Sequence, residues 1–167
     1  MIARLLFPLC LFSASYASAE PMRVAVFDFE MIDTSLDGEM NGTSAEEKAR
    51  LAKLAPELRA KLAASDRFVV VDTNSVNERA HAQNLQACGG CDATLAHEVG
   101  ADVAVTGTVQ KVSNLILNIN IYLRDAKDDR MLQAMSADIR GNTDESWSRG
   151  LSYLIRNKLL AEPTAKQ

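Results

Sequence analysis

The chain has 167 residues, with 18 Lys and Arg against 22 Asp and Glu and a net charge of −4 when both histidines are neutral. No run of basic residues is available to neutralise phosphates, which argues against nucleic acid and anionic lipid as partners. Apart from the N-terminus, no stretch is apolar enough to enter a membrane.

That N-terminus places Arg4 before the apolar run Leu5 to Phe12, followed by small residues ending in Ala17-Ser18-Ala19. One positive charge, a short apolar core and an A-x-A tail predict a secretory signal over residues 1–19, cleaved after Ala19, and hence a periplasmic mature chain. The apolar run is shorter than the roughly 20 residues needed to span a bilayer, so no membrane span is expected in the mature chain. Cys10 follows the bulky Leu9 and is not read as a lipidation site. Cleavage removes Arg4 alone among the charged residues, leaving 17 cationic against 22 acidic side chains, a net charge of −5. Residues 20–162 are expected to form one domain, large enough to hold its own core. Residues 163–167 are expected to be a disordered tail.

Arg23 to Phe29 is β-rich and apolar on both faces, as in a strand covered on both sides. Ile32 to Asn41 is polar and reads as a loop. A helix then starts with Thr43 or Ser44 as cap and Glu46 and Glu47 in the first turn, with Leu51, Leu54, Ala55, Leu58 and Leu62 at helical spacing. Pro56 interrupts this pattern and is expected to kink or split the helix. Phe68 to Val71 reads as a second central strand. A short helix capped by Asn74 or Ser75 runs through Asn84. After Cys88-Gly-Gly-Cys91, Asp92 is the expected cap of a helix over Ala93 to Val99. Ala101 to Lys111 is a third strand. Ser113 to Arg124 alternates regularly, with Leu115, Leu117, Ile119, Ile121 and Leu123 on one side and Asn114, Ile116, Asn118, Asn120 and Tyr122 on the other, the signature of a half-buried antiparallel strand. A turn over Asp125 to Asp129 leads to a returning strand, Met131 to Arg140. Asn142 or Thr143 caps a last helix with Trp147, Leu151, Leu154, Ile155 and Leu159 inward. The predicted fold class is α/β of the α+β kind, a single mixed sheet packed by helices in the order β-α-β-α-α-β-β-β-α.

Within this order, Val24-Ala-Val-Phe-Asp-Phe29, Arg67-Phe-Val-Val-Val-Asp72, Leu95-Ala-His-Glu-Val-Gly-Ala-Asp102 and Val105-Thr-Gly-Thr-Val109 form a pattern. It resembles the superfamily of the TolB amino-terminal domain, the curli secretion lipoprotein and the lipoprotein activators of penicillin-binding proteins. The run Gln110 to Asn120 brings the chain nearest to an uncharacterised secreted bacterial family. The resemblance covers about residues 23–160. It implies a periplasmic, non-catalytic domain that binds or positions an envelope protein and uses no cofactor. The chain has no β-propeller and no pore-forming segment, so the relatives' individual activities do not transfer with the fold.

Three chemistries compete for Cys88 and Cys91. An even cysteine count in an exported chain fits a structural disulfide. A CxxC pair also suits thiol–disulfide exchange, although that chemistry wants the first cysteine at a helix N-terminus. His81, Cys88, Cys91 and His97 form a third candidate, a Cys₂His₂ metal set without standard histidine spacing. Asp28, Glu30 and Asp33 cluster near the end of the first strand, as acid–base or cation-holding groups would, or as a solvated strand end. Asp125, Asp128 and Asp129 lack the EF-hand glycine and read as a turn. Gly107 marks a bulge or close packing. Asn114, Asn118, Asn120 and Tyr122 form a candidate partner surface on one strand face. No nucleophile–base motif is present, and the expected function is an adaptor rather than an enzyme. A redox or metal-handling protein built on Cys88-Gly-Gly-Cys91 is the alternative.

Overall fold

The computed structural model describes residues 20–161. The signal expected over 1–19 and the tail expected over 163–167 lie outside the described residues. Six strands form one mixed sheet: β1 (Met22–Val26), β2 (Glu30–Asp33), β3 (Phe68–Val71), β4 (Val103–Ser113), β5 (Ile116–Asp125) and β6 (Met131–Arg140). The order is β3-β1-β4-β5-β6, with β2 also beside β4. The helices are α1 (Leu36–Asn41), α2 (Ala45–Ala63), α3 (Asn77–His81), α4 (Cys91–Glu98) and α5 (Asp144–Leu154), the last running into a π-helical turn, Ile155–Leu159. The predicted mixed sheet packed by helices is the fold, with one strand and one short helix more than the sequence reading counted.

The expected strand Arg23 to Phe29 stops at Val26, and a second strand starts at Glu30; the stretch Ile32 to Asn41, a loop by its sequence, holds the end of that strand and α1. Val24–Val26 pair in parallel with Val103–Val105, and Glu30–Asp33 with Thr108–Lys111. Between them Phe27 to Phe29 bulges out of the ladder, three residues facing Thr106 and Gly107. Such a bulge re-aims side chains: Phe27 and Phe29 turn into the core and Asp28 outward. Gly107 answers by close packing, since a Cβ there would run into the Phe29 ring. Gly107→Ala is therefore expected to cost about 1–3 kcal/mol, the usual range for overpacking, measurable by chemical denaturation.

One face of the sheet carries the larger core, where Val24, Val105, Ile119, Ile121 and Ile139 meet Leu54, Leu58 and Leu62 of α2 and Trp147, Leu151 and Leu154 of α5. Each fully buried leucine contributes about 1.5–3 kcal/mol of transfer free energy. Among the described residues the other face is covered over β3, β1 and β4, where Val71, Ala25, Phe27 and Ala104 pack on Ala80, Leu85, Leu95 and Ala96. These alanines let α3 and α4 sit close. Nothing among the described residues forms a corresponding layer over β5 and β6, whose residues there alternate exposed or half-exposed with buried.

Several local expectations are corrected. Ser44, not Thr43, caps α2, in a reciprocal capping box with Glu47. α2 is not split at Pro56 and runs on to Ala63; Pro56 lies on the exposed side, where water can reach the Ala52 carbonyl that loses its donor, while Leu54, Ala55 and Leu58 form the buried stripe. β3 is an edge strand rather than a central one, and of its apolar run only Phe68 is buried. The stretch from Asn74 is a 3₁₀ turn followed by α3, ending at His81. Asp92 is not a cap: α4 begins at Cys91, the cap is Gly90, and Asp92 is buried inside the first turn. Thr143 caps α5, in a capping box with Ser146.

Candidate functional site

The open half of the sheet holds three cross-strand rows, read from the register: Thr106, Tyr122 and Ala134; Thr108, Asn120 and Ser136; Gln110, Asn118 and Asp138. Several of their polar side chains are already hydrogen-bonded. Asn118 Nδ2 donates to Asp138 Oδ1 at 2.7 Å and accepts on Oδ1 from the Ser136 hydroxyl at 2.9 Å. Asn120 Nδ2 donates to Thr108 Oγ1 at 3.2 Å, and Gln86 Nε2 to Thr106 Oγ1 at 2.7 Å. Thr106 and Thr108 are buried, Asn118, Asn120 and Tyr122 half-buried, and Ala134, Ser136 and Asp138 exposed. The result is an ordered row of amides and hydroxyls facing outward beside β6, which is a sheet edge among the described residues. Asn114 does not belong to it. That residue sits in the β4–β5 turn, where its Oδ1 faces Asn142 Nδ2 at 3.5 Å. The odd–even pattern ran two residues past the end of the strand, into a turn where alternation has no meaning.

Asp28, Glu30 and Asp33 go to three different places. Asp28 meets Arg59 Nη2 at 3.1 Å and His81 Nε2 at 3.0 Å, while Arg59 also donates to the Val26 carbonyl. This trio stands beyond the C-terminal ends of parallel β1 and β3, where their connections leave to opposite faces, the position at which open α/β sheets form crevices. A crevice of about 300 Å³ opens there, lined by Asp28, Phe29, Glu30, Leu51, His81 and Leu85. Glu30 accepts from the Leu85 amide at 2.6 Å. Asp33 accepts from both the amide and the hydroxyl of Ser35, then turns to Lys111.

Lys111 is the residue that sequence reasoning missed. It is wholly buried at the end of β4, with Glu47 Oε1 at 2.7 Å and Asp33 Oδ2 and Asp37 Oδ2 at 3.3 Å. Burial pushes its pKa down, but the three carboxylates outweigh it and hold the ammonium above its ordinary value. Burial likewise pushes Glu47 up, and Lys111, the Ser44 amide and Asn142 outweigh that and hold it below the usual range. The only signal in the sequence was a lysine in a Val- and Thr-rich strand.

Cys88 and Cys91 form a disulfide with Cα atoms 5.7 Å apart. Gly89 and Gly90 supply the left-handed backbone such a ring needs, at φ 68° and 100°. The ring leads directly into α4, whose buried Asp92 receives Arg124 Nε at 3.1 Å. Arg124 also reaches Asp129 in the β5–β6 turn. Asp125 accepts from the amides of Lys127 and Asp128, completing that turn. Of the candidate metal set, both cysteines are bonded to each other, His81 faces Asp28, and His97 lies exposed on α4. Among the described residues no group of three or more His, Cys, Asp or Glu has a metal-holding arrangement. The helix N-terminus adjoins the second cysteine rather than the first, the reverse of what lowers an attacking thiol's pKa. Replacing both cysteines by Ser is expected to cost about 2 kcal/mol, the loop-entropy value for so short a ring, read as a lower denaturation midpoint.

The family model DUF3280, described as "Protein of unknown function (DUF2380)", matches residues 22–159. The chain belongs to this family. The match spans every element of the sheet, and the family resemblance read from residues 23–160 holds. No curated protein matches. Among solved structures, the LpoB C-terminal domain from Salmonella enterica is 14% identical with a TM-score of 0.51, over 74% of this chain and 86% of that one. LpoB from Escherichia coli is 13% identical with a TM-score of 0.53, over 75% of this chain and 60% of that one. The hypothetical protein CT253 from Chlamydia trachomatis is 13% identical with a TM-score of 0.50, over 82% and 95%. At these identities the family shares a fold with them. No helix among the described residues is long and apolar enough to cross a membrane.

Proposed function

We propose that the mature chain is a periplasmic, non-catalytic adaptor that binds another envelope protein through the open face of β5 and β6. The observation that carries this reading is the ordered polar row Asn118, Asn120 and Ser136 on a half-sheet that no helix layer among the described residues covers. Amides and hydroxyls held by their neighbours present fixed donors and acceptors, so a partner need not pay their ordering entropy. The free edge of β6 adds backbone groups that an extended partner strand can use. The signal-like N-terminus and the fold shared with LpoB support an envelope setting. The titratable side chains near the crevice and the disulfide serve one another: Asp28 with Arg59 and His81, Asp92 with Arg124.

The test is the pair Asn120→Lys and Ser136→Lys. Ser136 is exposed, so Ser136→Lys should move folding stability by less than about 0.5 kcal/mol, while Asn120→Lys loses its bond to the buried Thr108 hydroxyl and should cost about 1 kcal/mol. Recovery of the native partner from the periplasm should fall at least tenfold. A partner recovered undiminished by both variants would refute the assignment of this face.

A further inference from the structure

The polar groups of the open face are not equally available to a partner. Both ends of the Asn118 amide are taken, one by Asp138 and one by the Ser136 hydroxyl. The Tyr122 hydroxyl, Asn120 Oδ1 and Gln86 Oε1 make no hydrogen bond among the described residues, and none of the three is a buried atom left without a partner, so each reaches solvent. All three side chains are half-buried, which leaves little freedom to lose on binding. Gln110, at the other end of the face, is unbonded too, but it is exposed and a partner would have to order it.

These three groups also lie together. Tyr122 stands opposite Thr106 and Asn120 opposite Thr108 in the β4–β5 ladder, and Gln86 Nε2 donates to Thr106 Oγ1 at 2.7 Å. Residues directly opposed in an antiparallel pair hold their Cβ atoms about 4.5–5.5 Å apart. On the β6 side Tyr122 faces Ala134, which is small and exposed and leaves the ring open to contact. Tyrosine in such a place supplies a broad apolar ring and a polar tip, the combination enriched among the residues that carry binding energy.

Gln86 is not on the sheet. It sits between α3 and α4, in a segment pinned on both sides of it. Before it, the Leu85 side chain is buried and the Leu85 amide donates to Glu30 Oε1 at 2.6 Å. The amides of Gln86 and Ala87 both donate to Asn84 Oδ1 at 3.1 Å. After it, Cys88 is bonded to Cys91, the first residue of α4. The ring therefore ties the segment that carries Gln86 to a helix packed on the sheet.

We infer that Gln86, Asn120 and Tyr122 set the specificity of the open face, taking N–H donors of the partner segment on the two amide oxygens and pairing with it through the tyrosine hydroxyl, and that the Cys88–Cys91 ring is a positioning element for Gln86. This deepens the adaptor reading and rests on it. The disulfide then matters to binding without any chemistry at sulfur.

The experiment titrates the chain purified from the periplasm with the envelope protein recovered with it, by calorimetry, at a temperature where every variant keeps the wild-type circular dichroism. Tyr122→Phe removes a hydroxyl that bonds to nothing within the fold, so it should raise Kd about fivefold and leave the urea midpoint unchanged. Gln86→Leu should raise Kd by a similar factor. Replacing both cysteines by Ser should also raise Kd, and adding it to Gln86→Leu should raise Kd no further, because the ring acts through Gln86. If Tyr122→Phe and Gln86→Leu stay within twofold of the wild type while Ser136→Lys still loses the partner, the inference falls and the adaptor face stands. If Ser136→Lys binds as well as the wild type, both fall. A cysteine effect that adds in full to that of Gln86→Leu overturns the positioning role of the ring.

Discussion

Lys111→Met is expected to destabilise the protein by about 3–5 kcal/mol at neutral pH, a large share of a domain's total stability. The lysine is wholly buried and Glu47 nearly so, and removing the cation leaves Glu47 ionised with no charge to balance it. Methionine fills most of the volume, so the loss reports charge rather than a cavity. The pH dependence separates this cause from poor packing. In the wild type, the Asp33, Asp37 and Glu47 carboxyls sit below their ordinary values in the folded state. Their contribution is present above about pH 4 and is lost as pH falls through the folded values. Lys111 sits above its ordinary value, so its contribution persists below about pH 10 and is lost as pH rises through the folded value. The variant has no cation to stabilise the buried carboxylates, so protonation relieves it. Its deficit should be largest near neutrality and shrink toward pH 3. Urea midpoints measured from pH 3 to 8 check this, and a deficit constant with pH would point to packing instead.

Trp147→Ala should cost about 3–5 kcal/mol, the range for emptying a buried indole site. Trp147 is 1% exposed and lies between α5 and the sheet, where the close contact of Gly150 with Ile139 shows how little room there is to collapse. The indole N–H also donates to Asn142 Oδ1 at 3.0 Å, and Asn142 in turn donates to Glu47 Oε1 at 2.6 Å. The core of α5 is thus tied through one amide to the Lys111 cage. Trp147→Phe, which keeps a six-membered ring but removes the pyrrole and its donor, should cost about 1 kcal/mol from the hydrogen bond and more from the cavity left behind. Combined with Lys111→Met, it should show a coupling of about 0.5 kcal/mol or more, because the two side chains share a network. Circular dichroism is the readout, since this is the only tryptophan in the chain.

The sheet and its helices were legible because their signals are periodic. Leu117 to Leu123 alternate as a half-buried strand must, and Trp147, Leu151, Leu154 and Leu159 return on one helical face. The open polar face was legible for the same reason, in Asn118, Asn120 and Tyr122. Features without a period were not. The bulge at Asp28 interrupts a run of apolar residues that reads as one strand, and only pairing with β4 reveals the break. α1 reads as a loop in the sequence because none of its six residues is buried, so it carries no apolar stripe. Asp33, Asp37, Glu47 and Lys111 are far apart in sequence and meet only through tertiary contacts.

The most direct test of the central claim is to record amide NMR shifts of the labelled mature chain on adding the envelope protein recovered with it. The adaptor reading expects the largest changes at 118–122 of β5 and 134–138 of β6, with the disulfide loop at 88–91 and the crevice around Asp28 little moved. Changes concentrated at the loop or the crevice, with β5 and β6 silent, would contradict it and move the site off the open half of the sheet.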